Sequence, residues 1–169
     1  IEDMIMSMEV VLPDGTIMRT LPVPRHASGP DLNQLFLGSE GTLGIMTKAT
    51  LKVHPLPEVR RFHAFIFPDL HTGLEAGRQI MTRRLRPSVI RLYDEAETRR
   101  LIRRVLGIDK EGAYLVVGFE GDSDMVELEV AKALAICRAL PHEDLGPKLG
   151  EDWWEHRYDF FFPNHMFHL

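Results

Sequence analysis

The chain has 169 residues, 27% charged and 44% hydrophobic, a composition that excludes coiled coil, collagen and wholesale disorder. Twenty Lys and Arg against 25 Asp and Glu give a formal net charge of −5, which excludes a general nucleic-acid footprint. The single cysteine, Cys137, excludes an internal disulfide framework and suits a reducing compartment such as the cytoplasm, and no apolar run reaches the ~20 residues of a membrane helix.

In chain order, Met4 to Leu12 is rich in β-formers and Ile17 to Leu21 returns as a second strand. Between them Pro13-Asp14-Gly15 reads as a turn, because proline presets φ and glycine accepts positive φ. Pro22 to Pro30 is a proline-rich loop. Asp31 caps a short helix over Leu32 to Leu37 that Gly38 stops. Leu43 to Val53 is a strand, and the stiff connector Pro55-Leu56-Pro57 marks a boundary, dividing residues 1–57 from 58–169.

Beyond the connector, Phe62 to Phe67 is a strand, followed by a helix carrying Leu70, Leu74, Met81 and Leu85 at near-helical spacing. Ser88 to Tyr93 is the next strand. Asp94 and Glu97 form a capping-box pattern ahead of Leu101, Ile102 and Val105. Ala113 to Glu120 is a third strand, and Asp124 and Glu127 open a helix whose Val126, Val130, Leu134 and Cys137 face the core. The order β-α-β-α-β-α predicts an α+β layer of ferredoxin-like type, with helices covering one sheet face. The ends carry their own expectation. A start at Ile1 without methionine and a stop straight after an aromatic-dense stretch point to an excised piece of a longer protein.

The sharpest local feature is Gly38-Ser39-Glu40-Gly41-Thr42-Leu43-Gly44-Ile45, three glycines spaced by three. Glycine lets backbone N–H groups approach a ligand closely, and the Ser39 and Thr42 hydroxyls are further donors. The spacing is that of neither a dinucleotide fingerprint nor a P-loop. The competing reading is a plain glycine-rich turn between helix and strand.

The run SGPDLNQLFLGSEGTLGIMTKATLKVHPLPE (Ser28 to Glu58) resembles the end of the FAD-binding domain of the FAD-linked oxidases of the vanillyl-alcohol oxidase-like superfamily. IEDMIMSMEVVLPDGTI, FPDL, RPSVIRLYDEAE and VVGFEGD extend the resemblance along the chain. Within the superfamily it leans to the alkyldihydroxyacetonephosphate synthase branch, with glycolate oxidase flavin subunits and D-lactate dehydrogenases further off. The resemblance implies the C-terminal part of a VAO/PCMH-type flavin domain over 1–57, then a truncated cap domain over 58–169. It implies FAD as cofactor, contacted by Glu40, Gly41, Thr42, Leu43, Gly44, Ile45 and Met46. The implied activity is hydride transfer from a 2-hydroxy acid or related alcohol to flavin, the alternative being a synthase-like flavin-adduct transferase. The implied partners are a small acidic substrate bearing carboxylate or phosphate, the remainder of the polypeptide, and a second copy in a homodimer. Peripheral membrane or peroxisomal placement is a further implication. As an isolated piece the chain could instead be a non-catalytic α+β module.

Arg91 and Arg157 are the candidate catalytic residues, each expected to meet the substrate's acidic group. Period-two alternation in Val89-Ile90-Arg91-Leu92-Tyr93 buries Ile90 and Leu92 under helix and turns Arg91 to the opposite, pocket-facing side. A guanidinium there can grip carboxylate or phosphate bidentately, or steady the charge of reduced flavin; a salt bridge or an exposed sheet face is the alternative. The resemblance favours the first reading, because synthase-like members keep an arginine in this context. In Trp153-Trp154-Glu155-His156-Arg157, a helix would put Trp153 and Arg157 on one face, with packing against further chain as the alternative. His156, His165 and His168 lack convincing carboxylate or cysteine partners, so no metal is expected. Cys137 reads as core and Arg99, Arg100, Arg103 and Arg104 as a solvated helix face. Arg25 and His26 are loop residues that could line a ligand path.

Overall fold

A computed structural model of the chain describes residues 2–23 and 29–160. The chain forms two compact units that part between Pro55 and Leu56.

The first unit is a three-stranded antiparallel sheet of order β2-β1-β3, built from β1 (Ile5–Val11), β2 (Ile17–Arg19) and β3 (Ile45–Leu51). The turn between β1 and β2 is the expected one: Gly15 has φ +84°, and Asp14 Oδ1 accepts the Thr16 N–H at 2.9 Å. Glu9 on β1 ties both neighbours, accepting from Arg19 on β2 and from the Thr47 hydroxyl on β3, each at 2.8 Å. Those hydrogen bonds, Thr47 first, hold its carboxyl below the usual range. Helix α1 (Leu32–Phe36), capped by Asp31, is stitched to β1 by polar contacts. Thr20 Oγ1 accepts from the Met8 N–H at 2.9 Å and donates to Asn33 Oδ1 at 2.8 Å, while Asn33 Nδ2 donates to Met6 O at 3.3 Å. This clamp fixes where the chain leaves α1 and enters the glycine-rich segment.

The second unit hangs on one ladder. β4 (Val59–Phe67) and β6 (Ala113–Gly121) pair antiparallel without a slip from Val59↔Gly121 to Phe67↔Ala113. β5 (Val89–Tyr93) lies outside β6 and β7 (Glu143–Leu145) outside β4, giving the order β5-β6-β4-β7. Helix α2 (Leu70–Thr82) joins β4 to β5, and α5 (Ser123–Arg138) joins β6 to β7. This is the expected ferredoxin-like arrangement with a helical run inserted between β5 and β6: α3 (Glu95–Glu97), a π-helical turn (Thr98–Ile102) and α4 (Arg103–Leu106). α6 (Gly146–Glu155) closes the unit. The three-residue β7 carries no strand pattern of its own and is a strand through its pairing with β4.

Helix covers both sheet faces, not one. Phe65, Phe67, Leu115, Val117 and Phe119 pack with Ile80, Val126, Ala133, Ile136 and Cys137 on the α2/α5 side. Ala64, Ile66, Tyr93, Tyr114 and Val116 pack with Ile102, Trp153 and Phe160 on the other. The core face of α2 also differs from expectation. Leu70, Leu74 and Met81 are exposed, and Gly73, Ala76 and Ile80 are buried. Small residues let α2 lie so close to β5 that a Cβ at Gly73 would come within 2.6 Å of Leu92 Cδ1. Hydrophobic periodicity finds large side chains and misses a face built on their absence.

Two predictions follow from the packing of α6 and β7. A Cβ at buried Gly150 would lie 2.7 Å from His63 N and 2.9 Å from Phe62 C, both backbone of β4. Gly150→Ala should therefore cost about 2–3 kcal/mol in a denaturant titration, as overpacking against backbone does. Asp144 on β7 accepts from Arg138 Nε and Nη2 at 2.9 and 2.8 Å and from Gly146 N–H at 2.9 Å, and lies 2.6 Å from His63 Nε2. Burial pushes its carboxyl up, but the His63, Arg138 and Gly146 hydrogen bonds outweigh it and bring it from 3.8 to about 2. A depressed native pKa stabilises the fold above the unfolded value. The stability advantage over Asp144→Asn should be full above pH 3.8 and disappear as pH falls to about 2.

Candidate functional site

The glycine-rich segment begins where α1 ends. Gly38 takes φ +78°, and Ser39 N–H returns to Phe36 O at 3.1 Å. Glu40 and Gly41 follow in the left-handed region, at φ +50° and +83°. For Glu40 this is an uncommon conformation that the surrounding turn must hold. The turn is tied by Thr42, whose N–H and hydroxyl both donate to Ser39 O, at 2.9 and 2.6 Å. The Thr42 hydroxyl proton is thus engaged inside the loop, contrary to its expected role as a donor to a ligand.

The three glycines do different things. A Cβ at Gly44 would meet Val10 Cγ1 at 2.7 Å and Val11 O at 2.8 Å, so its close approach is to β1 of the same unit. At Gly41 a Cβ would touch only Ile45 Cδ1, at 3.9 Å, and at Gly38 it would meet nothing within 4 Å. The Gly38 and Gly41 backbone is therefore open. Among the described residues the N–H groups of Glu40, Gly41 and Leu43 engage no acceptor. Exposed Leu43, Ile45 and Met46 flank them. An open row of amide donors beside apolar side chains can take an acceptor-bearing planar group by hydrogen bond and contact together.

Arg91 lies on β5 opposite Ile90 and Leu92, as the alternation requires, and is exposed. The sheet face it shares is not an open pocket wall, since the π-helical turn and α6 cover it. Arg91 stands at the β5 edge with its Cζ 5.3 Å from the centre of the Tyr93 ring. Arg157 falls beyond the end of α6 at Glu155, so the expected shared helix face with Trp153 does not form. Trp153 turns into the core and donates to Tyr93 Oη at 3.0 Å. Arg157 instead packs on Trp154 and Tyr158, with Cζ 3.8 and 4.4 Å from the ring centres, and donates to Trp154 O. No carboxylate pairs with it among the described residues. A guanidinium held by rings and a carbonyl keeps donors for an outside anion.

Phe160 is buried against Tyr93 and Trp153. Cys137 is buried, and burial pushes its thiol up to about 12, which suits a core residue and not a nucleophile. Arg99 and Arg103 pair with Glu111 and Asp109 at 3.2 Å. His156 Nδ1 lies 2.9 Å from Asp152 O; Arg25, His26, Phe161, Phe162, His165 and His168 lie outside the described residues. A cavity of about 740 Å3 in the first unit, lined by Arg19, Thr20, Asn33, Gln34 and Lys52 among others, takes in none of residues 38–46. It forms around the Thr20–Asn33 clamp, a contact with no sequence signature.

Residues 56–165 match the family described as FAD linked oxidases, C-terminal domain. The chain is 44% identical over 94 residues to an alkyldihydroxyacetonephosphate synthase of Caenorhabditis elegans, covering 56% of this chain and 16% of the relative. It is 32% identical over 181 residues to that of Trypanosoma brucei brucei, covering 94% and 29%. Glycolate oxidase subunit GlcD of Bacillus subtilis is 31% identical over 140 residues, covering 80% and 30%. A solved alkyldihydroxyacetonephosphate synthase superposes with a TM-score of 0.73 at 30% identity, covering 94% of this chain and 32% of that one. The chain thus spans less than a third of the length of these relatives.

The loop geometry separates two of its glycines. Gly41→Ala should cost about 1 kcal/mol, the strain of a left-handed side chain in open space. Gly44→Ala should cost about 2 kcal/mol or more, because β1 must give way. Thermal unfolding of both variants checks the order.

Proposed function

The chain belongs to the family of FAD linked oxidases, C-terminal domain, and on that premise we propose that it is the junction of a flavin-binding domain with a substrate-binding cap in an FAD-dependent oxidoreductase. Residues 1–57 supply the end of the first and 58–169 part of the second. The observation that carries the reading is the open loop: the free amides of Glu40, Gly41 and Leu43 and the exposed Leu43, Ile45 and Met46 fit one edge of FAD. Gly44 and Thr42 hold the loop in shape from behind, through β1 and Ser39 O.

When bound, FAD supplies a hydride acceptor for the carbon that bears the substrate hydroxyl. The cap residues do the rest of what this chain contributes. Arg157, fixed by Trp154 and Tyr158, and Arg91, seated on Tyr93, offer guanidinium forks to a carboxylate or phosphate on the substrate. Holding the acidic group orients the hydroxyl-bearing carbon. The buried lone Cys137 fits a cytoplasmic setting, and no helix among the described residues is long and apolar enough to cross a membrane. A second reading, a synthase-like transferase acting on a phosphate-bearing substrate, is favoured by the near-complete coverage of this chain by such relatives.

In the full-length enzyme that carries this chain, anaerobic addition of a 2-hydroxy acid should bleach the flavin absorbance. Bleaching by no 2-hydroxy acid or related alcohol contradicts the oxidase reading, and turnover of a phosphate monoester with the oxidised absorbance regained without any electron acceptor favours the transferase. Gly41→Val should lower flavin occupancy. Arg91→Ala and Arg157→Ala should raise KM about tenfold or more at wild-type occupancy, the scale of a lost charge-assisted hydrogen bond.

A further inference from the structure

We propose that Tyr93 is the positioning residue of Arg91: its ring seats the guanidinium, and Trp153 locks that ring in place. The inference rests on the reading of Arg91 as an oxyanion-binding group and adds how that group is aimed. β5 pairs with β6 alone among the described residues, so Arg91 projects from a sheet edge. An arginine side chain has large rotamer freedom there, and an aimed guanidinium needs a restraint. Tyr93 stands two residues on, on the same sheet face, with its ring centre 5.3 Å from Arg91 Cζ. The ring is one of the partners of Arg91, its hydroxyl bonds the guanidinium as well, and it is itself immobilised.

The immobilisation comes from three sides. Tyr93 is 1% exposed, and its hydroxyl accepts the Trp153 Nε1–H at 3.0 Å inside the core. Phe160 lies 5.6 Å away at 31° and Tyr114 6.1 Å away at 57°, so the ring has no room to turn. Burial pushes the phenol up, so the seat stays neutral at physiological pH. A cation over a π-face is held by the ring quadrupole, which an aliphatic side chain lacks. The Trp153–Tyr93 bond thus transmits the docking of α6 to a side chain at the opposite edge strand. Sequence alternation puts Arg91 and Tyr93 on one face, but nothing in it pairs Tyr93 with Trp153.

Calorimetric titration of the full-length flavoenzyme with oxalate and, separately, inorganic phosphate tests the inference and distinguishes a carboxylate from a phosphate site. Arg91→Ala is the reference: unchanged affinity for both anions removes the reading beneath the proposal. With Arg91→Ala weakened, Tyr93→Leu should weaken the same anion about fivefold, and Tyr93→Phe, which keeps the ring but removes the hydroxyl that Trp153 and Arg91 both bond, should recover part of that loss and leave about a twofold one. The double variant Arg91→Ala with Tyr93→Leu should bind no more weakly than Arg91→Ala alone, as expected of residues acting as a unit. Wild-type affinity in Tyr93→Leu, or a further fivefold loss in the double variant, overturns the proposal while leaving Arg91 in its role. Should Tyr93→Leu not fold, Trp153→Phe decides: it removes the donor to Tyr93 Oη together with part of the indole packed on Phe160, and a loss of twofold or more supports the seat while unchanged affinity overturns it.

Discussion

The β4–β6 ladder is the constraint from which the second unit follows. Over residues 62–67 and 113–119 both strands are buried on both faces, so their alternating side chains feed two separate cores. Because strand side chains alternate with period two, a slip of one residue would exchange the cores wholesale. Ladder register therefore fixes β5, and β5 register sends Ile90 and Leu92 under α2 and Arg91 and Tyr93 to the α6 side. Arg91 owes its place to hydrophobic sorting on the next two strands of the sheet, β6 and β4. Close helix approach at Gly73 and Gly150 is the second half of this scheme, since both helices rest on strand backbone or a single leucine with no side chain between.

The first unit is governed by polar contacts more than by burial. β3 is exposed along its whole length, and among the described residues of this unit the buried hydrophobic ones lie on β1. What orders the glycine loop is the Thr20–Asn33 clamp at one end and the Gly44 seat on β1 at the other. Between them the backbone turns left-handed and leaves amides outward, a shape that serves a ligand better than it serves the fold. The chain spans less than a third of the length of these relatives, and the exposed apolar side chains of β3 are the kind of surface that further polypeptide or a cofactor covers.

The legible parts of the sequence were those with a local cause. The Pro13-Asp14-Gly15 turn, the Asp31 and Asp94 caps and the helix stop at Gly38 each depend on residues next to one another, and each formed. The ferredoxin-like order was legible from alternating periods. What escaped depends on distant contact: β7 is a strand only because β4 offers an edge, α2 packs by small residues because β5 is near, and Arg157 leaves its helix because Trp154 and Tyr158 hold it. At the candidate site the glycines pointed to the loop but not to their division of labour. Gly44 serves β1, and only Gly38 and Gly41 stay open.

The central claim is that the outward amides between Gly38 and Met46 contact FAD. Hydrogen–deuterium exchange on the full-length enzyme, with and without FAD, reads those amides directly. The account predicts that exchange at Glu40, Gly41 and Leu43 slows when FAD is added, with β4 and β6 unchanged. Equal exchange at those three amides in the loaded and stripped enzyme would contradict it.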